Sequence, residues 1–478
     1  MAVCGNMADA RGELKLLTKA QVPFYFKTND KVAWIARENV NIVAIAHTLH
    51  GLENDFSQGA TKRIDIRLKL LDLQTGETER EFGYNLVFSC PVLEIVCDLT
   101  PTSGYPLLNV FARLEDFRSC AFVFSCPAPD SADRGVAGEA LRKEIEVKLD
   151  RCNRKSNRNF HWGASVSFIR VSPLRNGRYW FGVILNDGEF ILLEMAVKRM
   201  RPTSADFHVH CMREIKSSEI DLTNLPFSWR LLDFSPDLKS LAIIGRGSYV
   251  FYIGLVFLDL DSFTVSIETN LKGFNFVADA KYSHGGNFFL ALCSGQRIKM
   301  PLSDSRQSGI DFEDCRSVLI WDTLGNLLQK VNFTGDSTLS AYELYISPYD
   351  NYIVIPQSGV DSNKKQFSLF LMHNLDFSKP ETQFDAKEIL RMDHDKGTDN
   401  YTSCNVSLSG HQLLVIHCCN MKNEDRSEDV SNLLTYKMNN SPTELTVLCR
   451  MAVNKQCDIH KLSLQEVPKE ILSYLNWC

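Results

Sequence analysis

The sequence predicts an all-β protein, a β-propeller of about seven four-stranded blades, followed by a small α-helical domain at the C-terminus. Three observations predict it. A hairpin phrase recurs along the middle of the chain, a second phrase of an apolar strand ending in Asp follows several of those hairpins, and the spacing of apolar residues turns helical after residue 438.

The hairpin phrase reads "VSFIRVSPLRNGRYWFGVI" (Val166 to Ile184), "RLLDFSPDLKSLAII" (Arg230 to Ile244), "DAKYSHGGNFFLAL" (Asp279 to Leu292), "YELYISPYDNYIVI" (Tyr342 to Ile355) and "NVSLSGHQLLVI" (Asn405 to Ile416). Each joins two β-rich segments through a short turn of Ser, Pro, Gly, Asn or Asp. Pro presets φ in such a turn, while Gly and Asn tolerate the positive φ that closes it. The second phrase reads "RLKLLDLQTGE" (Arg67 to Glu77), "LVFLDLDSFT" (Leu255 to Thr264) and "SVLIWDTLGN" (Ser317 to Asn326).

Two hairpin phrases per unit, at intervals of roughly 50 to 65 residues, describe four-stranded blades with long insertions. "VLIWDT" and "LLDLQTGE" look like degenerate WD-repeat strand ends, without a regular Gly-His dipeptide. Seven units fit between Val22 and Lys437, which sets the domains as an N-terminal tail at 1–20, a propeller at 21–437 and a C-terminal domain at 438–478. Within the propeller, residues 129–160 turn charged and helical in composition ("SADRGVAGEALRKEIEVKLDRCNRKSNR", Ser131 to Arg158), so an exposed helix or lid is expected there. A pair of β-sandwiches is the alternative fold for the same strands.

At 478 residues the chain can bury a large core, and a repeat architecture lets one domain reach this size. A net charge of −6 with 23% charged residues excludes both the basic field of a nucleic-acid binder and a disordered acidic chain. Met1 to Ala20 carries no charged n-region followed by an apolar run, and no stretch approaches the ~18 apolar residues of a membrane span. An odd count of 15 cysteines, set mostly in apolar strand-like runs, fits buried reduced thiols. The expectation is a protein of the cytoplasm, with the nucleus also open, that binds neither membrane nor nucleic acid.

Catalytic signatures are missing. There is no phosphate loop, HExxH helix, nucleophile elbow or kinase motif set, and "GRGS" (Gly245 to Ser248) opens no helix. In "FHVHC", His208 and His210 share one strand face and Cys211 points the other way, which supplies two ligands where a metal site needs three or four. No catalytic residue, cofactor or metal site is expected, and the chain reads as a non-enzyme.

The C-terminal segment is more informative. Ser441 is a good N-cap, Pro442 a natural first helical residue and Glu444 the far half of a capping box. From there Leu445, Cys449 and Val453 form one apolar stripe, widened by Leu448 and Ala452. A second helix follows Pro468, with Ile471, Leu472 and Leu475 at helical spacing. About forty residues cannot build a self-sufficient core, so these helices must pack on the propeller or on another protein.

"ELTVLCRMAV" resembles the elongin-binding half of a SOCS box, a Leu followed by a Cys four residues on and an aliphatic residue four further. Leu445, Cys449 and Val453 take those places, and Leu448 and Arg450 also match. About twenty residues beyond the Cys, the register of the cullin motif falls on Gln465, Glu466, Val467 and Pro468, then "KEILSYL" with Tyr474 and Leu475. Glu466 replaces the first proline of the cullin-5 pattern and Gln465 its leading Leu, while "VPKEILSYL" also fits a looser cullin-2 pattern. The resemblance covers Ser441 to Leu475 and is similar to WD-repeat SOCS-box proteins, substrate receptors of elongin B/C and cullin ubiquitin ligases. It implies that Leu445, Leu448, Cys449 and Val453 contact elongin C. It likewise implies that Val467, Pro468, Ile471 and Leu475 contact cullin-5 or cullin-2 with its RING protein, and that the propeller holds an unknown protein target. The rival expectation is a non-catalytic propeller scaffold of another assembly, with the same helices sealing the last blade. A cullin-4 receptor would need WDxR, and "WDTL" places Leu324 where that pattern has Arg.

Overall fold

The computed structural model describes residues 14–22, 31–34, 42–50, 63–88, 92–100, 105–114, 119–126, 139–149, 166–185, 189–199, 207–220, 227–247, 252–272, 276–298, 312–332, 339–341, 343–347, 352–361, 364–373, 387–395, 402–406, 412–423 and 426–438, with Cys90, Thr102 and Phe274. They form seven sheets in chain order, antiparallel apart from one two-residue parallel pairing on the edge of the first, each starting with the strand nearest the centre. Blade 1 holds Lys31–Trp34, Ile42–His50, Arg63–Asp72 and Thr78–Val87; blade 2 holds Val92–Thr100, Leu107–Leu114, Ser119–Ser125 and Arg142–Leu149. Blade 3 comprises Val166–Val171, Arg178–Leu185, Phe190–Arg199 and Phe207–Lys216, and blade 4 Phe227–Phe234, Ser240–Gly247, Tyr252–Asp259 and Val265–Lys272. Blade 5 comprises Phe276–Tyr282, Phe288–Ile298, Phe312–Asp322 and Leu327–Asn332. In blade 6, Leu339–Ala341 and Tyr345–Ile346 both pair with Tyr352–Asp361, followed by Lys364–His373 and Lys387–Asp395. Blade 7 takes Thr402–Val406, Gln412–Asn423 and Arg426–Met438 from the end of the chain and its outer strand, Leu14–Val22, from the beginning.

Alternation along the middle strands sends side chains to two neighbouring blades, and so creates a separate apolar cluster at each junction. In blade 4, Ile243 and Val256 pack toward blade 3 against Trp180 and Phe190, while Ile244 and Phe257 pack toward blade 5 against Phe289 and Trp321. Equivalent clusters join blades 1 and 2, 2 and 3, 5 and 6, and 6 and 7. The last cluster, with Val22, Trp34, Val43, Leu414 and Ile416, joins blade 7 back to blade 1 and closes the ring. Each fully buried Leu, Ile or Phe contributes ~1.5–3 kcal/mol of transfer free energy, so these junctions are the dominant stabilising term.

The turn serines of the hairpin phrase have a single role. In blades 3 to 6, the buried Oγ of Ser172, Ser235, Ser283 or Ser347 accepts the N–H of Trp180, Ser240, Phe288 or Tyr352, at 2.7, 2.8, 3.2 and 3.1 Å. Each serine N–H also donates to the carbonyl of the same partner. The Asp of the second phrase closes the other turn: Asp72, Asp259 and Asp322 each accept backbone N–H groups two to four residues on. Asn176 and Gly177 sit at φ 51° and 72°, the paired positive angles of a type I′ hairpin turn, and Gly177 donates no side chain where a Cβ would meet the Val197 carbonyl at 2.9 Å.

Two expected boundaries change. Residues 14–20, expected in the N-terminal tail, belong to the strand Leu14–Val22, whose Leu14, Ala20 and Val22 are buried in the last blade's clusters. The last strand ends at Met438, one residue beyond the expected limit. The helix expected within 129–160 is also corrected: Arg142–Leu149 is the outer strand of blade 2, and Glu139–Ala140 pairs in parallel with Phe82 and Gly83 on the edge of blade 1. Composition misled here because the charged residues of "RKEIEVKL" alternate with Ile145, Val147 and Leu149, which is the period of an outer strand with one wet face. The remaining residues of 129–160 and all of 439–478 lie outside the described residues.

Gly177→Ala combines a left-handed backbone with a steric clash against Val197. It is expected to lower the stability of the fold by about 1–2 kcal/mol, read as a shift of the denaturant midpoint at unchanged m-value.

Candidate interaction surface

A propeller's first strands are edge strands with N–H groups facing the central channel, and something must satisfy them. Here carboxylates of adjacent blades do so. Asp98 of blade 2 accepts the N–H of Val171 in blade 3 at 3.1 Å, Asp233 of blade 4 that of Tyr282 in blade 5 at 2.7 Å, and Asp279 of blade 5 that of Leu344 in blade 6 at 3.0 Å. Arg170 on blade 3 reaches both Asp233 (Nε to Oδ1, 3.2 Å) and Asp279 (Nη2 to Oδ1, 3.3 Å), and lies over the Phe168 ring. Lys281 pairs with Asp279 at 2.8 Å, donates to the Leu344 carbonyl and sits over the Tyr345 ring, whose hydroxyl bonds Glu343. The result is a chain of alternating charge, Asp98, Arg170, Asp233, Lys281, at the position two residues before the turn Ser or Thr of four successive blades.

Burial works against the charges of Asp233, Asp279 and Arg170. It pushes the Asp233 carboxyl up to about 6, although Arg170 and the Tyr282 N–H pull it back. Burial pushes Asp279 the same way, but the Lys281 and Arg170 cations outweigh it and hold that carboxyl below its ordinary value. Arg170 loses solvation to burial, yet Asp233, Asp279, Asp98 and Glu343 together raise its pKa. Every one of these groups is engaged between blades, so the cluster holds the inner strands in register. It presents no nucleophile and base aimed at a common reacting atom.

The two faces of the ring carry different connections. Those between first and second strands are short, with 374–386 between third and fourth strands on that same face, whereas the connections between second and third strands, on the opposite face, include 51–62 and 299–311. Two hairpins also extend past their sheets toward that second face. In blade 7, among the described residues, Cys418–Asn423 pair only with Arg426–Ser431, since Thr402–Val406 reaches no further than His417 and Leu14–Val22 no further than Ser431. In blade 5, Gly295–Ile298 and Phe312–Cys315 project in the same way beyond Phe276 and Asn332. Projecting ribbons and long connections on a rigid ring are the usual platform for partner recognition.

Among the sequence-derived candidates, His208 and His210 share one outward face of Phe207–Lys216, with ring centroids 6.2 Å apart, and Val209 between them is buried. Cys211 turns toward the core between blades 2 and 3, and burial raises its thiol pKa. Among the described residues no group of three or more His, Cys, Asp or Glu is placed to hold a metal ion, and no helix is long and apolar enough to cross a membrane. Gly245 to Gly247 run on within the strand Ser240–Gly247. Leu324 lies in the turn after Asp322 and is exposed. Leu445, Leu448, Cys449, Val453, Val467, Pro468, Ile471 and Leu475 lie outside the described residues.

No family model matches this chain, and no curated protein matches it. Solved structures align along most of its length at low identity. A structure of the Dos1 propeller is 13% identical, with TM-score 0.46, covering 90% of this chain and 96% of that one. The hydrazine synthase of Kuenenia stuttgartiensis is 12% identical, with TM-score 0.46, covering 86% and 95%. The WD40 domain of SCAP from fission yeast is 8% identical, with TM-score 0.40, covering 91% and 97%. The class of protein is set by its own topology, a seven-bladed β-propeller closed by its first strand.

Asp233 makes the inter-blade charge cluster sensitive to pH. Its folded value lies above the ordinary 3.8, so the folded state holds a proton that the unfolded state releases between about pH 4 and 6. Its contribution to stability therefore declines as pH rises through that window and is flat above it. Asp233→Asn is expected to remove this decline, so that wild type loses ground to the variant between about pH 4 and 6 in paired denaturant titrations.

Proposed function

We propose that this chain is a non-catalytic substrate receptor of an elongin B/C–cullin ubiquitin ligase, whose propeller holds a protein target while residues 441–475 dock the ligase. The observation that carries the reading is the presence of both halves of the SOCS-box pattern, in ungapped register, directly after a propeller. Leu445 is the anchor for a hydrophobic pocket of elongin C, Cys449 packs beside it as a small apolar group, and Leu448 and Val453 extend the contact. Val467, Pro468, Ile471 and Leu475 form the cullin-facing half, for cullin-5 or cullin-2.

The propeller suits that division of labour. The last strand ends at Met438 on the side of the short first-to-second-strand turns, opposite the face that carries 51–62, 299–311 and the projecting hairpins. A target gripped on one face leaves the chain's exit point accessible on the other. Ubiquitin transfer then belongs to the recruited partners, and the protein works in the cytoplasm or nucleus by holding two things near each other.

Affinity capture of the tagged chain from cells is expected to recover elongins B and C. Leu445→Asp combined with Cys449→Asp should reduce the affinity of purified elongin B/C at least ~tenfold, the effect of losing ~2 kcal/mol or more at an anchor. Undiminished binding by the double variant, or no binding by wild type, leaves the non-ligase scaffold as the reading.

A further inference from the structure

The closing strand Leu14–Val22 is the outer edge of blade 7 and breaks its own pattern. Its pairing passes from Leu16 opposite Tyr436 to Thr18 opposite Thr435, so Leu17 is an extra residue in a bulge. Leu14, Ala20 and Val22 are buried, but Leu16 and Leu17 are 41% and 42% exposed. Among the described residues, this is the one place where two large apolar side chains adjacent in sequence both face solvent. Single exposed leucines are ordinary; two in succession on a sheet edge form a spot that another apolar surface would cover.

The described chain ends beside this spot, and the sequence that follows offers an apolar stripe. Met438 pairs with Leu14, so the C-terminal segment leaves blade 7 within one or two strand residues of Leu16. Residues 439–444 separate this exit from Leu445, a tether of at most ~3.3–3.6 Å per residue, which bounds how far Leu445 can lie from Met438 and leaves the same edge within its reach. A linker this short holds a segment at an effective concentration in the millimolar range, which lets even a small apolar contact form within the chain. The stripe Leu445, Leu448, Cys449 and Val453 is large relative to a segment unable to bury it alone.

We propose that in the free chain this C-terminal stripe packs against Leu16 and Leu17 of the closing strand. The ring's own edge thereby shields the segment until a partner takes it. Where that partner is elongin C, which rests on the function proposed above, the two surfaces compete for one stripe. Binding of the ligase then releases the edge of blade 7, and the propeller lowers the affinity of its own tail for the ligase.

Hydrogen exchange on the full-length chain tests this. Amides within 445–453 are expected to be protected in wild type and to exchange roughly tenfold or more faster in Leu16→Asp/Leu17→Asp. Leu445→Asp/Cys449→Asp should produce the same release from the other side, and peptides of blades 3 and 4 serve as the control for an intact ring. Equal exchange at 445–453 in wild type and the Leu16/Leu17 variant, with the control peptides unchanged, overturns the proposal. Elongin B/C is titrated in parallel, and tighter binding by the Leu16/Leu17 variant than by wild type is the expected mark of competition. If wild type shows the protection but binds no elongin, the docking stands and the ligase reading falls; if elongin binds equally to both, the competition is overturned.

Discussion

The structure depends on closure of the ring through antiparallel pairing of Leu14–Val22 with Arg426–Met438. Each blade buries its two apolar faces only against its neighbours, so an open array would leave one face of the first blade and one of the last in water. Closure removes that exposure. Leu14 joins the cluster between blades 6 and 7, while Ala20 and Val22 join the cluster between blades 7 and 1, so one short strand completes two interfaces. The bulge at Leu16 and Leu17 falls between these two sets of contacts.

Closure alone would leave the inner strands free to slide. The carboxylates of Asp98, Asp233 and Asp279, each accepting an N–H from the following blade, tie neighbouring inner strands at a defined register, and Arg170 spans three blades by bridging Asp233 and Asp279. Charges this buried lose solvation, and isostructural apolar packing could match them in stability. What they add is register, because an apolar contact has no donor and acceptor to align. Blades held in this way form a stiff support for the connections on both faces.

Much of this was legible in the sequence. The hairpin phrases stand out because each turn Ser needs its hydroxyl for the first N–H of the second strand, so the residue recurs wherever the geometry does. The Asp of the second phrase recurs for the same reason at the other turn. The inter-blade charge cluster was harder to see, yet its signal is present: aligning the phrases on their turn Ser or Thr puts Asp98, Arg170, Asp233 and Lys281 in one column of alternating sign. What a single sequence hides is pairing at long separation. Nothing local in Leu14–Val22 says that its partner lies at the far end of the chain, and "RKEIEVKL" reads as helical until the neighbouring strand Ser119–Ser125 is known. The resemblance of residues 441–475 to a SOCS box rests on side-chain identity and spacing alone and draws nothing from the propeller.

Fold and tail meet at one place, the edge of blade 7, where the chain's first strand, its last strand and the start of its C-terminal segment come together. The most direct test of the account is the hydrogen exchange of the peptide Leu14–Val22 in the native full-length protein. A closed ring predicts slow exchange for its paired amides, at rates comparable with those of Arg426–Met438. Exchange as fast as that of an unstructured peptide, while blades 3 and 4 remain protected, would contradict closure and with it the architecture described.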